Sequence, residues 1–92
     1  MLTGFKAFGG DLSNPSQRVA EELDGLQLPG CRVTALLLPV DTRRAPDVLD
    51  DALDRLNPQT VLLTGLAFGR IRLSLERVAV NVLDFRLPDN AG

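Results

Sequence analysis

The chain has no histidine, so none of its 92 residues can supply an imidazole base. It has one cysteine, Cys31, and so cannot form an internal disulfide. No apolar run approaches the roughly 20 residues of a membrane-spanning helix. The opening Met1-Leu2-Thr3-Gly4 lacks the basic region and apolar stretch of a secretory signal. Ten Lys and Arg face twelve Asp and Glu, for a net charge of −2, which removes the case for nucleic acid or an anionic membrane surface. Neither a Gly-x-Gly-x-x-Gly nor a Gly-Lys-Ser/Thr motif is present. Together these absences fit a soluble cytoplasmic protein.

The apolar fraction, 45%, is ordinary for a globular chain, and the length suits one small domain. A domain this short buries only about 60–65% of the surface its unfolded form exposes, so it is a marginal folding unit. There is no internal repeat, linker or low-complexity stretch.

Leu2 to Phe5 is short and apolar and reads as a first strand, broken by Gly9-Gly10. Asn14 then suits a helix N-cap, with Pro15 at the first helical position and Gln17 at the third, a capping-box arrangement. Val19, Ala20 and Leu23 give that helix one apolar face, and Gly25 ends it. Pro29-Gly30 is a turn. Cys31 to Leu38 is apolar almost throughout and reads as a second strand, covered on both faces and ended by Pro39.

Ala45, Val48, Leu49, Ala52, Leu53 and Leu56 recur at helical spacing, making the second helix the clearest element. Asp47, Asp50 and Asp51 occupy its N-terminal half, where the helix dipole favours anions, and Asn57-Pro58 stops it. Thr60 to Thr64 reads as a third buried strand closed by Gly65, and Arg77 to Leu83 as a fourth. The order β-α-β-α-β-β indicates an α/β layered domain with a largely parallel sheet. Two helices cover the faces of such a sheet only in part, so the chain reads as an N-terminal half that further strands and helices would complete.

Three segments carry the candidates for chemistry. The first is Thr3-Gly4-Phe5-Lys6-Ala7-Phe8-Gly9-Gly10 with Asn14-Pro15. Phe5 and Phe8 lie in or beside a glycine-rich loop after a strand, where α/β sheets commonly bind ligands; on position alone they read first as core residues at the rim of the sheet. The second is Thr64-Gly65-Leu66-Ala67-Phe68-Gly69-Arg70. The third is Leu75-Glu76-Arg77-Val78-Ala79-Val80-Asn81, followed by Arg86-Leu87-Pro88-Asp89-Asn90. A charge within such an apolar run is costly unless it is paired or used. Glu76 reads as a solvated carboxylate, as an ion pair with Arg77, or as a working acid, and Leu75, Val78 and Val80 predict its partial burial. Cys31 opens an apolar strand after a turn, a common place for an inert buried thiol.

These blocks, in this order and spacing, resemble the pyroglutamyl peptidase I (pyrrolidone-carboxylate peptidase) family over nearly the whole chain. The resemblance implies the N-terminal portion of a three-layer αβα sandwich with a mostly parallel or mixed sheet, residues 1–92 being about half of one domain. It implies a cysteine exopeptidase that removes an N-terminal pyroglutamyl residue through a Cys-His-Glu triad, with no metal or organic cofactor. Glu76 matches the triad acid, which orients the imidazole. Arg86 matches an arginine beside the reacting centre, placed to hold a developing oxyanion. Phe5 and Phe8 match rings that flank the flat lactam, Asn14 an asparagine that hydrogen-bonds it, and Leu66 and Leu87 further pocket positions.

Three departures stand out. Leu66 replaces a frequent glutamine and Phe68 a small residue, while Lys6-Ala7 replaces an acidic residue and proline. The family's cysteine and histidine lie beyond Gly92, so Cys31 does not match the nucleophile. The resemblance also implies a homo-oligomer, dimer or tetramer, acting on peptides that begin with pyroglutamate. The competing expectations are a truncated, non-catalytic ligand-binding or interaction module of the same fold and, less well supported, a small nucleotide-binding domain.

Overall fold

A computed structural model describes residues 1–7, 14–67 and 69–78. The chain runs through β1 (Leu2–Phe5), α1 (Pro15–Leu23), β2 (Gln27–Leu28), β3 (Cys31–Arg32), β4 (Ala35–Leu38), α2 (Arg44–Leu56) and β5 (Leu62–Leu63). Three strands form a parallel sheet in the order β4-β1-β5. Leu2 pairs with Ala35 and Phe5 with Leu38 on one side, while Leu2 and Thr3 pair with Leu62 and Leu63 on the other.

The connection from β1 to β4 steps one way across the sheet, and the connection from β4 to β5 steps back past β1. Crossovers of the usual right-handed sense that step in opposite directions place α1 and α2 on opposite faces. The two helices do not approach each other, as this layering requires. The expected α/β class and parallel sheet are therefore present, with β1 in the centre.

Among the described residues the buried apolar core is Leu2, Ala20, Leu38 and Ala52, with Thr3 and Gly4 buried beside them. Gly4 is where α1 lies against the sheet. A Cβ there would overlap the Ser16 carbonyl and come within 3.2 Å of the Ala20 Cβ, so only glycine permits this approach.

Both helix ends follow the sequence closely. Asn14 caps α1, its Oδ1 accepting from the Ser16 N–H at 2.9 Å, and Pro15 opens the helix. The capping box does not form. Asn14 bonds the second helical residue rather than the third, and Gln17 turns along the helix to donate to Glu21. Of the apolar face, Ala20 is buried, while Val19 and Leu23 stay partly exposed. Gly25, at φ +82°, follows the helix end, and the Asp24 carboxylate accepts from Ala35 N–H at 2.9 Å, tying that end to the start of β4.

Helix α2 ends at Asn57 in the left-handed conformation, φ 44°, with its N–H bonded to the Leu53 carbonyl. Its start is organised by Asp41, whose carboxylate accepts from the N–H groups of Arg43 and Arg44 at 2.9 and 3.0 Å. Of the three aspartates expected in its N-terminal half, Asp47 lies in the first turn, with Asp50 and Asp51 near the middle of the helix.

The expected second strand, Cys31 to Leu38, is two strands in two sheets. β3 pairs antiparallel with β2 around Pro29-Gly30, and β4 joins the parallel sheet. The hand-over falls at Val33 and Thr34, which bond Leu26 and Leu2 respectively. Cys31 is exposed on this hairpin, not buried, because the hairpin lies outside the main sheet. The third strand is confined to Leu62–Leu63 and is exposed rather than buried, lying at the sheet edge with Leu62 at 54%. The expected fourth strand is absent at Arg77 and Val78, and its remainder lies outside the described residues.

Candidate functional site

In a parallel sheet whose connections diverge, ligands bind beyond the carboxyl ends of the strands at the point of divergence. Here that point lies between β1 and β5, and the two loops leaving it carry the candidates. Thr64 fastens them together: its N–H and its hydroxyl both donate to the Thr3 carbonyl, at 3.1 and 2.7 Å. The Phe5 ring stands beside Gly65, within 3.8 Å of where a Cβ would project. Phe5 and the loop bearing Leu66 are thus brought to one place, with Phe5 half-buried and Leu66 exposed.

The loop after β1 is closed at its base by Ser16, a residue the sequence reading did not single out. Its Oγ accepts from Phe5 N–H at 2.9 Å and donates to Asn14 Oδ1 at 2.7 Å. Asn14 is only 7% exposed. Its Oδ1 therefore takes two donors from Ser16, while its Nδ2 has a long 3.5 Å contact to the Lys6 carbonyl. An amide so oriented offers a ligand a donor, not an acceptor, so it suits a carbonyl oxygen. The signal for Ser16 lies in the Asn-Pro-Ser sequence: a cap followed two residues later by a hydroxyl that reaches back to the strand.

Glu76 is exposed, and the expected partial burial is not seen. Its neighbours Leu75 and Val78 are 94% and 76% exposed, because nothing among the described residues packs over them. Its carboxylate is paired, but with Arg70 rather than with adjacent Arg77: Arg70 Nη1 donates to Glu76 Oε1. Arg70 in turn belongs to the loop after β5, its N–H bonded to the Ala67 carbonyl at 3.4 Å behind Gly69 at φ +83°. The acid is joined in this way to the loop that carries Leu66. Phe8, Phe68, Arg86 and Leu87 lie outside the described residues.

Among the described residues no three of Cys, Asp and Glu gather in a metal-binding cluster. No helix among them is long and apolar enough to cross a membrane.

A family model described as pyroglutamyl peptidase matches residues 1–92. A pyrrolidone-carboxylate peptidase of Deinococcus radiodurans is 50% identical over 93 residues, covering all of this chain and 43% of the relative. That of Pyrococcus furiosus is 42% identical over 92 residues, covering all of this chain and 44% of the relative. Among solved structures, a mutant pyrrolidone carboxyl peptidase from P. furiosus superposes with a TM-score of 0.95 at 43% identity, over 99% of this chain and 44% of that one. The chain therefore spans less than half the length of the relatives it matches.

Proposed function

The chain belongs to the pyroglutamyl peptidase family, and from that premise we propose that residues 1–92 form the N-terminal half of a single α/β domain that hydrolyses an N-terminal pyroglutamyl residue from peptides. The observation that carries this reading is the match of the whole chain to the family; the meeting of two loops, bearing Phe5 and Leu66, beyond the parallel strands is consistent with a ligand site there.

In the proposed reaction a cysteine thiolate attacks the carbonyl carbon that joins pyroglutamate to the next residue. The oxyanion that forms is held by Arg86. An imidazolium then gives its proton to the departing amine, leaving a thioester that water cleaves with the imidazole as base. Glu76 orients the imidazole and stabilises its charged form. The cysteine and histidine come from polypeptide beyond these residues, since Cys31 stands on the exposed hairpin and the chain has no histidine.

Phe5 and Phe8 would hold the lactam ring between them, Leu66 and Leu87 would wall it, and Asn14 Nδ2 would donate to its carbonyl. A prolyl residue lacks that carbonyl and would leave the donor unpaired, which gives selectivity. The complete protein is proposed to be a cytoplasmic homo-oligomer.

The test is a chimera that joins residues 1–92 to the remainder of the D. radiodurans relative, assayed on a pyroglutamyl amide. Turnover that is abolished by Glu76→Gln and by a thiol alkylator is expected. A folded chimera with full activity in Glu76→Gln would refute the triad assignment. Binding of pyroglutamate without turnover would favour the non-catalytic module instead.

A further inference from the structure

The obvious partner for Glu76 in the sequence is Arg77, yet the structure gives it Arg70, six residues earlier. The backbone prepares this pairing. Gly69 takes φ +83°, a conformation that side-chain-bearing residues rarely adopt, and a Cβ there would meet nothing within 4 Å. Glycine is thus required for the turn and not for space. The turn, closed by Arg70 N–H on the Ala67 carbonyl, directs Arg70 back toward residue 76.

A carboxylate offers two oxygens and about four lone-pair directions. Arg70 Nη1 takes Oε1 and leaves Oε2 for another donor. Both side chains are more than half exposed, so the pair adds little to folding. Its consequence is geometric: it ties the carboxylate to the loop leaving β5, which is anchored to β1 through Thr64.

We propose that Arg70 is a positioning residue for the catalytic acid, holding Oε1 of Glu76 so that Oε2 faces the imidazole. This rests on the reading of Glu76 as the triad acid. A carboxylate with one oxygen fixed has lost a rotation that would otherwise be frozen when the imidazole docks, the preorganisation that charged sites require.

In the active chimera, Arg70→Met is expected to lower kcat on the order of tenfold, the size typical of coupling between contacting residues, while leaving KM within about twofold. Arg70→Lys, which keeps a cationic donor but not the planar guanidinium, should restore part of the loss. In a Glu76→Gln background, Arg70→Met should add nothing. Full kcat in Arg70→Met, or a loss that adds undiminished to that of Glu76→Gln, would overturn the proposal. A folded but inactive chimera would instead count against the peptidase reading, and nuclear magnetic resonance of that chimera then decides the pairing. Slow rotation of the Arg70 guanidinium that is lost in Glu76→Gln supports it, and free rotation in the unsubstituted chain refutes it.

Discussion

Two buried positions on β1 show how single residues govern this sheet. Gly4 allows α1 to rest on the strand, because any Cβ would run into the Ser16 carbonyl. Gly4→Ala is expected to cost about 2–3 kcal/mol, the range for overpacking a site that cannot relax. Urea denaturation would measure it, and an unchanged midpoint would show that the helix moves away freely. Thr3 presents the opposite case. It is fully buried, and its hydroxyl finds no partner among the described residues. A buried, unsatisfied hydroxyl carries its desolvation penalty without return. Thr3→Val should therefore be neutral or stabilising by about 1 kcal/mol. A clear loss in the same urea experiment would mean that the hydroxyl has a partner in solution.

At the level of elements, α1 does two things at its first turn. Asn14 satisfies the helix N-terminus and, through Ser16, closes the loop that follows β1. Asn14→Ala is expected to cost about 1–2 kcal/mol, as the loss of a good N-cap does. Asn14→Asp keeps the acceptor and so most of the stability. It removes the Nδ2 donor, and in the chimera it should raise KM for a pyroglutamyl substrate. An unchanged KM would take Asn14 out of the lactam pocket. The cap itself was legible in Asn14-Pro15, since cap and first-position signals depend on neighbours in sequence. The failed capping box was not: Gln17 had a second partner, Glu21, one helical turn on.

Among the described residues, β5 is an edge strand, and Ile71, Leu73, Leu75 and Val78, which follow it in sequence, are exposed. Apolar edges of this kind template association. Residues 1–92 alone are expected to self-associate with concentration in sedimentation velocity, and Leu73→Lys with Leu75→Lys should suppress this. A strictly monomeric unsubstituted chain would contradict the expectation. The β-α-β-α order was readable because helical periodicity, caps and turn residues are local signals. The sizes of the strands were not: Cys31 to Leu38 looks like one strand by apolarity, yet it serves a hairpin and a sheet in turn.

The helices, the Asn14 cap, the parallel α/β class and the family were legible along the chain, because capping chemistry, periodicity and motif order are local signals. Asn14 and Phe5 could be named as site candidates on the same basis. Only the tertiary structure decided which groups meet. It placed Ser16 between Phe5 and Asn14, set the Phe5 ring beside Gly65, gave Glu76 to Arg70, and left Cys31 exposed. Each of these depends on a turn direction or on a strand's place in the sheet. The exposure of Glu76 was not legible for the same reason: an apolar neighbour is buried only when another element comes to cover it.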